Sequence, residues 1–157
     1  LRMIAGRHRE HAARAGADHV IDWQNEDIVT RVKELTDGRG ADVIYDPVGG
    51  DAFDASTHCI NFEGRLIVIG FASGRIPEIK GHMILNKNMS VMGFFWTNYL
   101  FKRPDLVDDY QDEINRLYLE GKFPPVVSAV MPMSDLPASL DMIMNRDAYG
   151  KIVLVND

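Results

Sequence analysis

The sequence predicts an α/β domain built on a parallel sheet, and two observations support that fold class. Short apolar runs alternate with helical segments along most of the 157 residues, a pattern typical of parallel strands joined by crossover helices. The apolar runs are continuous instead of alternating, which indicates strands covered on both faces. Apolar residues make up 46% and charged residues 25% of the chain, so an ordinary globular core is expected.

The first half of the chain follows this alternation in order. Four apolar runs are predicted strands, at 1–5, 20–21, 43–45 and 66–69. Three helices are predicted between them, at 9–15, 25–35 and 52–60. In the second helix Asn25 is the expected cap, followed by two acids at the positive end of the helix dipole. Ile28, Val32 and Leu35 form its apolar stripe, and a turn at 37–40 ends it.

The second half has a different character. The aromatic run Val91–Trp96 favours a strand. Pro104 suits the first turn of a helix that Gly121 closes, and its apolar residues recur every fourth position. After a proline-rich connector, the sequence predicts a strand at 126–131, a helix capped by Ser134 and a last strand at 152–155. The inward residues of that helix are expected to be Leu136, Leu140, Ile143 and Met144. We expect two domains, 1–123 and 124–157.

Charge and cysteine content exclude several classes of function. Seventeen Lys and Arg against 23 Asp and Glu give a net charge of -6, so neither nucleic acid nor an anionic membrane is the expected partner. Cys59 is the single cysteine and cannot form an intrachain disulfide or a thiolate zinc cage. Neighbouring His58 points about 100° away on a helix, so the two are not a nucleophile–base pair. We expect a soluble, cytoplasmic protein without a metal site or a catalytic side chain of its own.

Three glycine-containing loops follow predicted strands, where open parallel sheets bind ligands. They are Gly6-Arg7-His8-Arg9, Asp46-Pro47-Val48-Gly49-Gly50 and Gly70-Phe71-Ala72-Ser73-Gly74. Together they favour a nucleotide crevice, because glycine allows close backbone approach to a ligand. The complete G-x-G-x-x-G fingerprint is absent, and its place would be before Leu1. We therefore expect the chain to be a piece of a longer polypeptide that begins at the second strand of its sheet.

The first of these loops indicates which dinucleotide is bound. Sites for NAD place an acid after the second strand, whereas cationic side chains accommodate a 2′-phosphate. Here Arg7, His8 and Arg9 occupy that position, and arginine binds phosphate oxygens in a bidentate manner. NADPH is the expected cofactor, although these side chains could also be a solvated start of a helix.

Several longer stretches carry a more specific resemblance. They are Gly16-Ala17-Asp18-His19-Val20-Ile21-Asp22, Thr36-Asp37-Gly38-Arg39-Gly40-Ala41-Asp42-Val43, Tyr45-Asp46-Pro47-Val48-Gly49-Gly50, Gly64-Arg65-Leu66-Ile67-Val68-Ile69-Gly70-Phe71-Ala72-Ser73-Gly74 and Gly150-Lys151-Ile152-Val153-Leu154. With them the chain resembles the C-terminal, cofactor-binding half of a zinc-independent medium-chain dehydrogenase/reductase of the quinone oxidoreductase (zeta-crystallin-like) family.

The resemblance implies a fold and an activity. The fold is a partial Rossmann fold, a doubly wound parallel sheet without its first βα unit, followed by a segment that returns to a catalytic domain. The activity is hydride transfer from NADPH to a quinone or an enone, without metal, and an isolated fragment would be inactive. Homodimers are implied, with the edge strand around Val91–Trp96 as the expected interface.

The resemblance also assigns residues to the cofactor. Arg7, His8 and Arg9, with Gly6, would meet the 2′-phosphate, and Trp23 the adenosine end. Asp46, Pro47, Val48 and Gly49 would line the ribose on the adenine side. Gly70, Phe71, Ala72 and Ser73 would border the nicotinamide ribose, Phe94, Phe95 and Trp96 the nicotinamide, and Lys151 would lie near the cofactor.

Each of these assignments has a structural alternative. Trp23 and the aromatic run could serve packing only, and Asp46 could stabilise a turn through an Asx hydrogen bond. Two other functions stay open. One is an enoyl-thioester or polyketide enoyl reductase with the same half-fold, and the other is a non-catalytic dimerisation module.

Overall fold

A computed structural model describes residues 3–5, 9–145 and 147–156. Its strands are β1 (Met3–Ala5), β2 (His19–Ile21), β3 (Ala41–Asp46), β4 (Ile60–Val68), β5 (Ser90–Gly93), β6 (Val127–Pro132) and β7 (Lys151–Val155). Its helices are α1 (Arg9–Arg14), α2 (Ile28–Leu35), α3 (Gly50–Cys59), α4 (Gly81–Lys87), α5 (Trp96–Lys102), α6 (Pro104–Leu119) and α7 (Leu136–Met144), with a 3₁₀ turn at Met133–Asp135.

These elements form two compact units, Leu1–Asn98 and Tyr99–Asp157. In the first unit β1 pairs with β2, and β3, β4 and β5 form a three-stranded sheet in that order. In the second unit β6 pairs with β7. Every one of these strand pairs is parallel. The predicted parallel α/β fold class is thereby confirmed.

The core of the first unit consists of two apolar clusters. Phe53 of α3, Ile60 and Leu66 of β4, and Met89 are almost fully buried together on one face of the three-stranded sheet. Ile21, Val32 and Cys59 form the second cluster. Since these three belong to β2, α2 and α3, the second cluster joins the β1–β2 pair to the rest of the unit.

The turn between α2 and β3 depends on one glycine and one threonine. Gly40 has φ +93°, and a Cβ there would lie 2.4 Å from the Cys59 carbonyl oxygen. Buried Thr36 donates its hydroxyl to the Val32 carbonyl at 2.7 Å and accepts the Gly40 N–H at 2.9 Å. The Thr36 side chain therefore links the end of α2 to the last amide before β3.

Two boundaries in the first half differ by three or more residues from those predicted. Helix α2 begins at Ile28 instead of Asn25, because Asp27 is the cap: its Oδ1 accepts the Thr30 N–H at 2.8 Å. Asn25 instead bonds Asp22 through its side-chain amide. Strand β4 begins at Ile60, six residues before the apolar run at 66–69, because Ile60 already pairs with Ala41. Helix α4 was not predicted.

The aromatic run does not form a single strand. Strand β5 ends at Gly93, which pairs with Val68, the last residue of β4. No ladder partner on β4 follows, and helix α5 begins at Trp96. The prediction of an edge strand over all of Val91–Trp96 is therefore wrong in its second half, since strand propensity needs a neighbouring strand.

Helix α7 also differs from the prediction. The 3₁₀ turn precedes it, its N-cap is Asp135, and neither Ser134 nor Asp135 makes a side-chain capping hydrogen bond. The four residues expected to face inward are exposed: Leu136, Leu140, Ile143 and Met144. Periodicity indicates an amphipathic helix, but it does not determine which surface covers the apolar stripe.

Candidate functional site

The carboxyl ends of β3 and β4 are joined by hydrogen bonds between the two loops that follow them. The Ala72 N–H donates to the Pro47 carbonyl at 3.2 Å, and the Ser73 N–H donates to the Val48 carbonyl at 2.9 Å. The Gly50 N–H donates to the Arg75 carbonyl at 3.1 Å. Two of the three predicted loops thus form one continuous backbone layer at the edge of the sheet where parallel folds bind ligands.

Gly49 and Gly50 are required for this contact between the loops. They have φ +67° and +55°, which favours glycine at both positions. A Cβ at Gly50 would lie 2.6 Å from Ser73 Oγ, and one at Gly49 would lie 3.1 Å from the Arg75 carbonyl oxygen. Both glycines therefore allow the loop after β3 to approach the loop after β4 closely.

Asp46 ends β3 and is 3% exposed. Its Oδ1 accepts the N–H groups of Val48 at 2.9 Å and Gly49 at 3.0 Å. This is the Asx-type turn that the sequence offered as an alternative role for Asp46. Its other oxygen, Oδ2, is buried without a hydrogen-bond partner among the described residues.

An arginine anchors the loop after β4 to helix α3. Arg75 Nη2 donates to Asp51 Oδ1 at 2.9 Å and to Asp54 Oδ2 at 2.6 Å. The hydrogen bonds to these two carboxylates raise the pKa of the Arg75 guanidinium. Sequence reasoning did not identify this triad, because its members are 21 and 24 residues apart and carry no motif.

A cavity of about 820 Å³ lies between α2, α3 and β3. Most of its lining is apolar, including Ile21, Val32 and Ile44, and Asp46 also lines it. Cys59 borders the cavity, and burial raises the pKa of its thiol. Beneath Cys59, Lys87 Nζ donates to the carbonyls of His58 and Ile60 at 2.8 Å, and desolvation lowers the pKa of that amine.

The aromatic segment Phe94–Trp96 follows β5, so it lies at the same edge of the sheet as the two loops. The rings of Phe94 and Trp96 stack with centroids 6.3 Å apart. All three side chains are exposed, as is Phe71 in the loop after β4. This edge therefore presents aromatic surface next to the glycine-containing loops.

The remaining predicted site residues belong to other segments of the chain. Gly6, Arg7 and His8 lie outside the described residues, and Arg9 begins α1. Trp23 follows β2 and is 45% exposed. Lys151 begins β7 in the second unit and is exposed. In the part of the chain that the structure describes, no three His, Cys, Asp or Glu side chains form a group able to hold a metal ion.

A parallel α/β unit with glycine-containing loops at the carboxyl ends of its strands is the arrangement in which doubly wound domains bind dinucleotides. Residues 4–114 match the family described as zinc-binding dehydrogenase. The chain belongs to that family, as the C-terminal half of a medium-chain dehydrogenase/reductase of its zinc-independent, quinone oxidoreductase branch.

Individual relatives agree with this placement. The quinone oxidoreductase-like protein 2 homolog of Nematostella vectensis is 39% identical over 88% of this chain and 38% of its own length. The 2-haloacrylate reductase of a Burkholderia species is 26% identical over 93% of this chain and 44% of its own length. The crystal structure of Escherichia coli quinone oxidoreductase complexed with NADPH superposes with TM-score 0.84 and 25% identity over 98% of this chain and 48% of that one.

This chain spans less than half the length of each of these relatives. Within the described residues, no helix is both long enough and apolar enough to cross a membrane.

Proposed function

We propose that this chain is the cofactor-binding half of an NADPH-dependent reductase that acts on quinones or enones. The observation that carries the proposal is the similarity, over 98% of the chain, to a quinone oxidoreductase solved with NADPH. The relative that reduces 2-haloacrylate supports an electron-poor alkene as the alternative acceptor. When bound, NADPH supplies the hydride, and the protein supplies orientation and a dry cleft.

The residues of the site fit one side of a dinucleotide. The joined loops 47–50 and 70–73 provide a backbone surface at the carboxyl edge, with exposed Val48 and Phe71 available to pack against ribose and ring atoms. The segment Phe94–Trp96 would border the nicotinamide. Arg7, His8 and Arg9 would bind the 2′-phosphate, Trp23 would pack at the adenosine and Lys151 would approach the cofactor.

Arg75 is unsuited to phosphate binding in this arrangement. Its guanidinium already donates to Asp51 and Asp54, so its charge is compensated within the protein. The triad instead fixes the loop that would border the nicotinamide ribose, which makes Arg75 a positioning residue in the proposed site.

The cofactor preference is tested by titrating the protein with NADPH and NADH while following nucleotide fluorescence. We expect NADPH to bind at least about tenfold more tightly, because an arginine–phosphate hydrogen bond is charge-assisted. Arg7→Ala should remove most of that preference. Arg14→Ala, an exposed arginine at the end of α1, is the matched control and should retain it.

Two results would contradict the proposal. Equal affinity for both nucleotides, unchanged in Arg7→Ala, would exclude the 2′-phosphate role. A full-length polypeptide containing this chain that binds NADPH but reduces neither quinones nor enones would exclude the proposed acceptors.

A further inference from the structure

The free oxygen of Asp46 is an unusual feature of the described structure. One oxygen of this almost fully buried carboxylate accepts two backbone amides, whereas Oδ2 is inaccessible and accepts nothing within the described residues. Buried polar atoms are nearly always hydrogen-bonded, because an unpaired one loses its interaction with water without compensation. Asp46 Oδ2 therefore indicates a hydrogen-bond donor that the described residues do not provide.

The strand that ends at Asp46, β3, is paired along one edge only within the described structure. Among the described strands β3 pairs with β4 only, so its other edge is open. Val43 and Tyr45, which alternate with the core residue Ile44, are 47% and 65% exposed. An open strand edge is a template for another strand, because its backbone N–H and C=O groups are unpaired.

The parallel pair of β1 and β2 indicates which strand would lie along the open edge of β3. Strands β1 and β2 lie in the same compact unit, joined to α2 and α3 by the cluster of Ile21, Val32 and Cys59. In the doubly wound order 3-2-1-4-5-6, the first strand lies between the second and the fourth. The observed strands supply every position of that order except the first, with β1 as the second strand and β3 as the fourth.

We propose that Asp46 is a docking residue: its Oδ2 accepts a backbone N–H from a glycine turn that follows a parallel strand seated on the open edge of β3. Parallel strands end at the same edge of a sheet, so the turn after such a strand meets the last residue of β3, which is Asp46. The proposed occupant is an apolar strand ended by that turn. The matched relatives are more than twice as long as this chain, and their additional length is sufficient to contain such a segment.

This role does not depend on which cofactor or acceptor the protein uses. Asp46 would hold the turn in place through a hydrogen bond to its backbone. Its placement under the turn makes it a positioning residue for any ligand bound there.

The test measures binding of a synthetic peptide to the protein in the absence of nucleotide. The peptide is acetylated, consists of alternating valine and leucine, and ends in Gly-Ala-Gly, with lysines appended for solubility. Calorimetry gives its affinity, and hydrogen–deuterium exchange reports on 41–46. We expect binding that slows exchange in β3. Asp46→Asn retains the acceptor for Val48 and Gly49 but presents an NH₂ group to the turn, so it should weaken binding by about tenfold or more. Asp37→Asn removes the same negative charge at an exposed position. It is the control, and it should bind the peptide as tightly as the unmodified protein does.

Ester versions of the peptide, each lacking one N–H of the Gly-Ala-Gly turn, make the test independent of how well Asp46→Asn folds. One of these esters should bind the unmodified protein about tenfold more weakly than the amide peptide does. The same ester should bind Asp46→Asn no more weakly than it binds the unmodified protein. The proposal is overturned if β3 gains no protection, if every ester binds like the amide peptide, or if Asp46→Asn binds like the unmodified protein. Because no nucleotide is present, none of these results depends on NADPH or quinone activity.

Discussion

Two glycines in the turn between α2 and β3 differ in what surrounds them. Gly38 and Gly40 both have positive φ, at +80° and +93°. Nothing lies within 4 Å of a Cβ placed on Gly38, whereas one on Gly40 would collide with the backbone at Cys59, Ile60 and Asn61. The two positions therefore separate the cost of the backbone conformation from the cost of a steric clash.

We expect Gly38→Ala to lower the free energy of unfolding by about 1 kcal/mol, the cost of left-handed backbone alone. Gly40→Ala should lower it by about 3 kcal/mol, because the backbone of the α3–β4 junction must also move. Urea denaturation followed by circular dichroism measures both. Equal losses at the two positions would contradict the close approach at Gly40.

At the scale of the helix, α2 shows how capping decides where an element begins. Asn25, Glu26 and Asp27 are all plausible in the first turn by residue type. The structure selects Asp27, whose Oδ1 accepts both the Thr30 N–H and the Thr30 hydroxyl, at 2.8 and 2.7 Å. These hydrogen bonds lower the pKa of Asp27.

Replacing the cap should therefore matter more than replacing the residue that the sequence favoured. We expect Asp27→Ala to lower the free energy of unfolding by about 1 kcal/mol, the usual value for a lost N-cap. Asn25→Ala should cost less than about 0.5 kcal/mol, as for an exposed turn residue. Chemical denaturation of the two variants provides the comparison. A larger loss of stability in Asn25→Ala than in Asp27→Ala would contradict Asp27 as the N-cap of α2.

At the scale of the whole molecule, we propose that β5 forms the interface of the homodimer that the family resemblance implies. This strand pairs with β4 on one side, and within the described residues no strand pairs with its other edge. Phe95, which follows β5, is 60% exposed. A second copy pairing along this edge would cover both the unpaired backbone groups and the aromatic side chain.

We expect light scattering to give twice the mass of one chain, and Phe95→Lys to shift the protein toward monomer by placing a charge in the interface. Phe101→Lys, also at an exposed phenylalanine, serves as the control and should leave the dimer intact. A monomeric unmodified protein at high concentration would contradict the proposed dimer.

Much of the first unit could be predicted from the sequence because its signals are local. Apolar runs, helical periods and turn glycines indicated β1 to β4 and α1 to α3, and the loops after β3 and β4 were identified as parts of one site. Boundaries were less predictable, because competing caps such as Asn25 and Asp27 look alike in sequence. The helix beginning at Trp96 was missed because β-prone aromatic residues form a strand only where a partner strand continues.

The sequence alone determined the parallel α/β class and the family resemblance, since both depend on short motifs and on the order of elements along the chain. Only the tertiary structure decided that Gly49 and Gly50 serve the contact between two loops, that Arg75 anchors one of those loops to α3, and that Asp46 keeps a buried oxygen without a partner among the described residues. These features join residues far apart in sequence or depend on which of two oxygens is satisfied. Neither kind of information is present in local periodicity or residue type.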